Sequence, residues 1–189
     1  MMRPMDAPKV ARRQGTFLAP IWLAMLAAIA IGAASLALYS RATTTTIILV
    51  RHAEKQLGTI EDPPLTQEGD ERAQRLARMF GANASPGTVQ AIYATSTRRA
   101  QATAAPLAAR LGLTVVTAND SPAALARRMR RENHGGVALV VGHSNTIPAI
   151  AAALASRSDV PAMSEDDFGT IYVVSVPDLG RATILQLRY

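Results

Sequence analysis

Two apolar runs in this chain end in a histidine: ILVRH at 48–52 and LVVGH at 139–143. A neutral imidazole is a competent nucleophile, and two of them converging on one crevice could attack and steady a transferring group. Arginine stands beside the first, as Arg51, and Arg98 and Arg99 follow the small, hydroxyl-rich turn ATST at 94–97. The guanidinium is a planar, permanently charged fork suited to phosphate oxygens. A helix that opens at Arg98 would add its free N–H groups to the same positive field. One arginine of that pair is expected to enter the crevice while the other stays solvated. A single histidine at a strand end is most simply a hydrogen-bonded structural residue. Two equivalent ones, with arginine beside one and glycine before the other, suit a pocket for a dianionic phosphoryl group with a nucleophile inside. The third histidine, His134 in ENHGG, reads as a surface loop residue.

The elements that must carry these residues follow from the apolar pattern. Residues 47–50 form a continuous apolar run, as in a strand buried on both faces. EDPPLTQEGDERAQRLARMF at 61–80 is broken by Pro63-Pro64, capped by Thr66 and acidic in its first turn, so a helix starts there. Further strands are predicted at 89–95, 113–117 and 137–141, with helices at 98–111, 122–131 and 145–156. An acidic loop, SEDDFG at 164–169, precedes a closing hairpin of 171–176 and 182–187 turned at 177–180. Alternating strands and helices predict an α/β fold, a three-layer αβα sandwich around a mainly parallel sheet, with the hairpin adding an antiparallel edge. In such a sheet ligands bind beyond the carboxyl ends of the parallel strands, where His52 and His143 both fall.

Four blocks in order, RHAE at 51–54, LTQEG at 65–69, RAQATA at 99–104 and GHSNT at 142–146, resemble the histidine phosphatase superfamily, of phosphoglycerate-mutase-like fold. The resemblance covers about 45–189. It implies that His52 is the nucleophile that becomes phosphohistidine and that Arg51 and Arg99 bind the phosphoryl oxygens. It further implies that His143 completes the pocket, with the Ser144 backbone N–H close by, and that Glu54 joins the substrate-binding residues and orients its neighbours. No metal or other cofactor is implied. Two departures stand out. Gly58 occupies the position where phosphoglycerate mutases carry Asn, six residues after the nucleophile. Between Arg99 and His143, where the family usually keeps its proton donor, only Asp120 and Glu132 are acidic. Asp120, just after the third strand, is the candidate acid, with a turn or helix-cap role as the alternative. The lack of a large capping insertion resembles the compact branch of the family, some of whose members act on protein phosphohistidine.

The N-terminal part differs in kind. Residues 1–16 form a basic tail, and residues 17–39 hold no charge over 23 positions, roughly 35 Å as a helix and enough for a bilayer core of about 30 Å. That segment is long for a cleaved signal, although Ser40-Arg41-Ala42 offers small residues at a cleavage spacing. The expectation is a single-pass anchor in a bacterial inner membrane, with residues 40–46 as a tether and the domain of 47–189 in the periplasm; the alternative is secretion after cleavage. The whole chain carries 20 basic and 14 acidic residues, but beyond residue 40 the balance is 16 to 13, only +3. That balance, the isolated RRMRR at 127–131 and few aromatics speak against a nucleic-acid partner. There is no cysteine, which excludes disulfides and thiolate metal sites. The expected partners are a phosphorylated small molecule or a phosphoprotein. The readings carried forward are a metal-independent phosphomonoesterase, a protein phosphohistidine phosphatase, and a catalytically weak phosphate-binding scaffold.

Overall fold

The computed structural model describes residues 21–58, 61–81 and 87–189, and the chain divides into two units, 1–38 and 39–189. The expected basic tail, and residues 17–20 of the expected anchor, lie outside the described residues. Helix α1 spans Ile21–Ala42 and is apolar all round rather than striped. Its described side chains from 21 to 39 are exposed, and Ile21–Tyr39 is long and apolar enough to cross a membrane. The tether expected at 40–46 is shorter than its sequence suggested. The helix continues to Ala42, where no Gly or Pro stops it, and Thr43 bonds back to the Tyr39 carbonyl through both N–H and hydroxyl before the first strand begins at Thr45.

The second unit is a six-stranded sheet between two helical layers. Its elements are β1 (Thr45–Arg51), α2 (Gln67–Phe80), β2 (Ala91–Ala94), α3 (Arg98–Leu111), β3 (Val115–Thr117), α4 (Pro122–Glu132), β4 (Val137–Gly142), α5 (Thr146–Ala155), β5 (Thr170–Val176) and β6 (Thr183–Arg188). The strand order is β3-β2-β4-β1-β5-β6, parallel from β3 to β1 and antiparallel through the β5–β6 hairpin. This is the α/β three-layer architecture with a mainly parallel sheet and an antiparallel edge. Successive side chains of a strand point to opposite faces, and β1 shows it: Ile47 and Leu49 join one core, Ile48 and Val50 the other. The first core takes Leu125, Met129, Ile150 and Leu154 from α4 and α5; the second takes Leu76 and Leu107 from α2 and α3. Ile47, Leu49 and Leu139 are wholly buried, and truncating any of them to alanine is expected to cost about 2–5 kcal/mol.

Two strands are shorter than the apolar pattern suggests, for a visible reason in β3. Gly112 adopts φ 67°, the left-handed conformation that ends α3, and the Leu113 N–H turns back to the Ala108 carbonyl. Leu113 is thereby spent on the helix cap and cannot enter the strand. In β2, ladder pairing starts only at Ala91, although Gln90 already donates to the Val137 carbonyl at 2.8 Å.

Candidate active site

Register alone brings the two histidines together. Arg51 of β1 pairs with Gly142 of the parallel neighbour β4, so His52 and His143 leave the sheet side by side. The His52 N–H donates to the Gly142 carbonyl at 2.9 Å, and the two rings sit 5.3 Å apart edge to face. A Cβ at Gly142 would lie 2.9 Å from Ile147 Cδ1 and Thr146 Oγ1, so glycine lets both side chains pack against the turn without a shift. Thr146 Oγ1 accepts the His143 N–H at 2.9 Å and fixes the turn into α5.

The loop after His52 is held from two sides. Thr103 of α3, wholly buried, accepts the Ala53 N–H at 2.9 Å and donates to the Arg99 carbonyl at 2.7 Å, which ties the loop after His52 to the helix that carries Arg99. On the other side, Thr66 caps α2 by accepting from the Gly69 N–H at 3.1 Å, while its own N–H donates to the Glu54 carbonyl. Gly69 lies so close to Glu54 that a Cβ would fall 2.3 Å from the Glu54 carbonyl oxygen. The LTQEG and RAQATA blocks therefore act through Thr66, Gly69 and Thr103 as the supports of His52. Of these three, only Thr66 has a local signal in the sequence.

His52 is buried, and its Nδ1 lies 2.7 Å from the Ala53 carbonyl oxygen. A carbonyl only accepts, so Nδ1 carries the proton and Nε2 keeps the lone pair. Burial pushes the His52 pKa down to about 4; the bond to Ala53 opposes this, and the charges of Arg51 and Arg99 reinforce it. His143 is shifted down by burial and then by the same two arginines, and its Nε2 lies 3.0 Å from Thr95 Oγ1. Both imidazoles are thus neutral at pH 7.

Arg51, His52, Arg99, His143 and Ser144 line one open cavity of about 380 Å³ together with Lys55 and Glu165. Arg99 turns into it while Arg98 is exposed. Both pocket arginines meet carboxylates that the sequence did not single out. Asp62 accepts from Arg99 Nη1 at 3.3 Å and from the Arg98 backbone N–H at 2.9 Å, so it also caps α3. Glu165, in the acidic loop, accepts from Arg51 Nη2 at 3.2 Å and from the Ser144 hydroxyl at 2.5 Å. Arg51 Nη1 donates to the Ser164 and Glu165 carbonyls, and its guanidinium stacks 4.1 Å over Phe168. Among the described residues, the buried Nε–H groups of Arg51 and Arg99 meet no hydrogen-bond partner.

Two expected site residues sit elsewhere. Glu54 is bound by Arg72, with Nε at 2.7 and 2.9 Å from its two oxygens, and it faces a neighbouring cleft with Tyr189 and Phe168. Burial pushes its pKa up, but the hydrogen bonds from Arg72 outweigh that and leave it below the ordinary value. The geometry makes Glu54 a support of α2 rather than a contact of the pocket. Asp120 is ion-paired with Arg128 at 3.1 Å and lines a separate cavity of about 220 Å³ that reaches His143 from the side of Thr95. His134 is exposed and meets Asp178 at 2.7 Å, as a surface residue. Among the described residues no group of three or more His, Asp or Glu side chains is placed to hold a metal ion.

The model of the histidine phosphatase superfamily (branch 1) matches residues 47–120. No curated protein matches the chain. Among solved structures, the protein histidine phosphatase SixA complexed with tungstate is 18% identical, with 76% of this chain and 96% of that one covered and a TM-score of 0.61. A phosphoserine phosphatase variant from Entamoeba histolytica in complex with phosphoserine is 15% identical over 74% of this chain and 94% of that one, at a TM-score of 0.56. Mycobacterial glucosyl-3-phosphoglycerate phosphatase is 18% identical over 70% and 90%, at 0.53. At these identities the likeness is one of fold.

Proposed function

We propose, for a chain whose residues 47–120 belong to the histidine phosphatase superfamily, that it hydrolyses phosphomonoesters through a phosphohistidine on His52 without a metal ion. The observation that carries this is the polarity of the His52 ring: Nδ1–H is committed to the Ala53 carbonyl, so the Nε2 lone pair is available for phosphorus. In the first step Nε2 forms the N–P bond as the P–O bond to the alcohol breaks, and the departing oxygen takes up a proton. In the second step water forms an O–P bond and loses a proton as the N–P bond breaks, which releases inorganic phosphate and restores neutral His52. The phosphoryl transition state is loose, so positioning and charge do most of the work. Arg51, Arg99 and His143 supply that charge from the cavity they line together. Asp120 remains the candidate donor to the departing oxygen through the cavity it shares with His143.

A second reading, a phosphatase of protein phosphohistidine, is favoured by the likeness to SixA over nearly all of that protein. Such a substrate leaves through nitrogen and depends less on a strong acid. His52→Ala in the full-length chain tests the common core: turnover of an aryl phosphate should vanish while the fold, read by circular dichroism, persists. Substantial turnover by that variant excludes both readings.

We further propose that α1 anchors the chain in a bacterial inner membrane with the catalytic domain in the periplasm. Its apolar length supports this, and secretion after cleavage is the competing outcome. Carbonate-resistant membrane association with protease-accessible 47–189 in spheroplasts is the expected result; a soluble mature form beginning near Thr43 contradicts it.

A further inference from the structure

Glu165 is a carboxylate held at the mouth of an otherwise cationic pocket, and its placement is not a free side chain's accident. The backbone on both sides is strapped to Arg51, whose Nη1 reaches the carbonyls of Ser164, Glu165 and Asp167 at 3.0, 2.5 and 3.4 Å. Its own oxygens receive Arg51 Nη2 at 3.2 Å and the Ser144 hydroxyl at 2.5 Å, yet the side chain is 80% exposed. Arg51 and Ser144 are groups that a phosphoryl oxygen would approach. A phosphoryl group that engages them lies beside this carboxylate, which lines the same open cavity. Asp62 pairs with Arg99 but is not among the residues lining the opening, where Lys55 is the only other charged side chain beside the two arginines and Glu165. Two guanidinium charges on the floor match a dianion. Of the two charged side chains that line this opening beside the arginines, Glu165 and Lys55, it is Glu165 that touches Arg51 and Ser144, so an anion placed next to the phosphoryl on that side meets like charge.

We propose that Glu165 is a specificity-determining residue that admits phosphorylated compounds with a cationic or neutral group next to the phosphoryl and rejects those with a second anion there. The inference rests on the phosphoryl pocket proposed above and adds the charge class of what is attached to phosphorus. Amino-alcohol phosphates are then favoured over phosphorylated carboxylic acids. A charge at an open rim acts through water, so the discrimination is modest, roughly three- to tenfold per unit charge, and is screened by salt.

Three phosphonates that share a two-carbon chain on phosphorus test this by calorimetric binding to the full-length chain: aminoethylphosphonate, ethylphosphonate and phosphonopropionate. Their P–C bonds are not expected to be hydrolysed, so affinity is read without turnover. The wild type should bind them in that order, and Glu165→Gln should narrow the spread by roughly three- to tenfold, mainly by tightening phosphonopropionate. High salt should compress the wild-type spread toward that of the variant. No order among the three in the wild type, no binding of any, or an equal change of all three in Glu165→Gln overturns the proposal; the last would make Glu165 only a competitor for Arg51. Aryl phosphate turnover by the same preparation reports separately on the phosphatase reading.

Discussion

Lowering the pH is the perturbation to which this site should respond unlike an ordinary histidine site. His52 has a pKa pushed to about 4, first by burial and then by Arg51, His143 and Arg99, with the bond to Ala53 in opposition. At pH 5 a free histidine of pKa 6.5 is roughly 3% neutral, whereas His52 should be roughly 90% neutral, about a 30-fold difference in available nucleophile. The same shift appears in stability. The unfolded chain binds the proton below 6.5 and the folded one only near 4. The contribution is therefore fully present above pH 6.5 and is lost as pH falls toward 4. The gap amounts to about 3 kcal/mol. Imidazole ¹⁵N titration of the full-length chain by NMR reads His52 apart from the titration of any substrate phosphate, with His52→Asn supplying the assignment. Denaturant midpoints between pH 4 and 7 should rise with pH in the wild type and rise less in His52→Asn, where the His143 contribution remains. A His52 ring that titrates near 6.5, with equal pH slopes for the two proteins, would refute the account of a neutral, desolvated nucleophile.

Gly69→Ala should destabilise the domain by about 1–3 kcal/mol and slow turnover with it, because the new Cβ meets the Glu54 carbonyl behind His52; a denaturation curve and a rate assay check both. If Asp120 protonates the departing oxygen, Asp120→Asn should slow alkyl phosphates roughly tenfold or more and aryl phosphates little. Equal small effects would leave Asp120 as the partner of Arg128. Chelators should leave the rate unchanged while vanadate inhibits competitively; loss on chelation restored by added zinc or magnesium would contradict the arginine-based charge stabilisation.

Much of this was legible in the sequence because its signals are local. Apolar runs that end in His52 and His143 announce two buried parallel strands, and sheet chemistry then brings their ends to one crevice. Thr66 and the first-turn acids mark the start of α2, and the Ala-rich stretch from Arg98 to Leu111 is the observed α3. What the sequence hid depends on distant partners. Thr103 reads as an unremarkable helix residue until its hydroxyl meets the Ala53 N–H. Glu54 follows His52 by two positions, yet Arg72 on α2 claims its carboxylate. Glu165 lies 21 residues beyond Ser144 in a loop whose acidic run gives no hint of which member faces Arg51. The apolar run ends at Tyr39, but the helix that carries it continues to Ala42 because it meets no residue that stops it sooner.

The central claim is a covalent bond between phosphorus and Nε2 of His52. Rapid acid-free quenching of the full-length enzyme during turnover of a ³²P-labelled phosphomonoester should trap an acid-labile, base-stable phosphoprotein. Its label should map to the peptide that contains His52, and His52→Ala should trap none. A wild-type enzyme that turns over the same substrate rapidly yet never carries label on His52 contradicts the account.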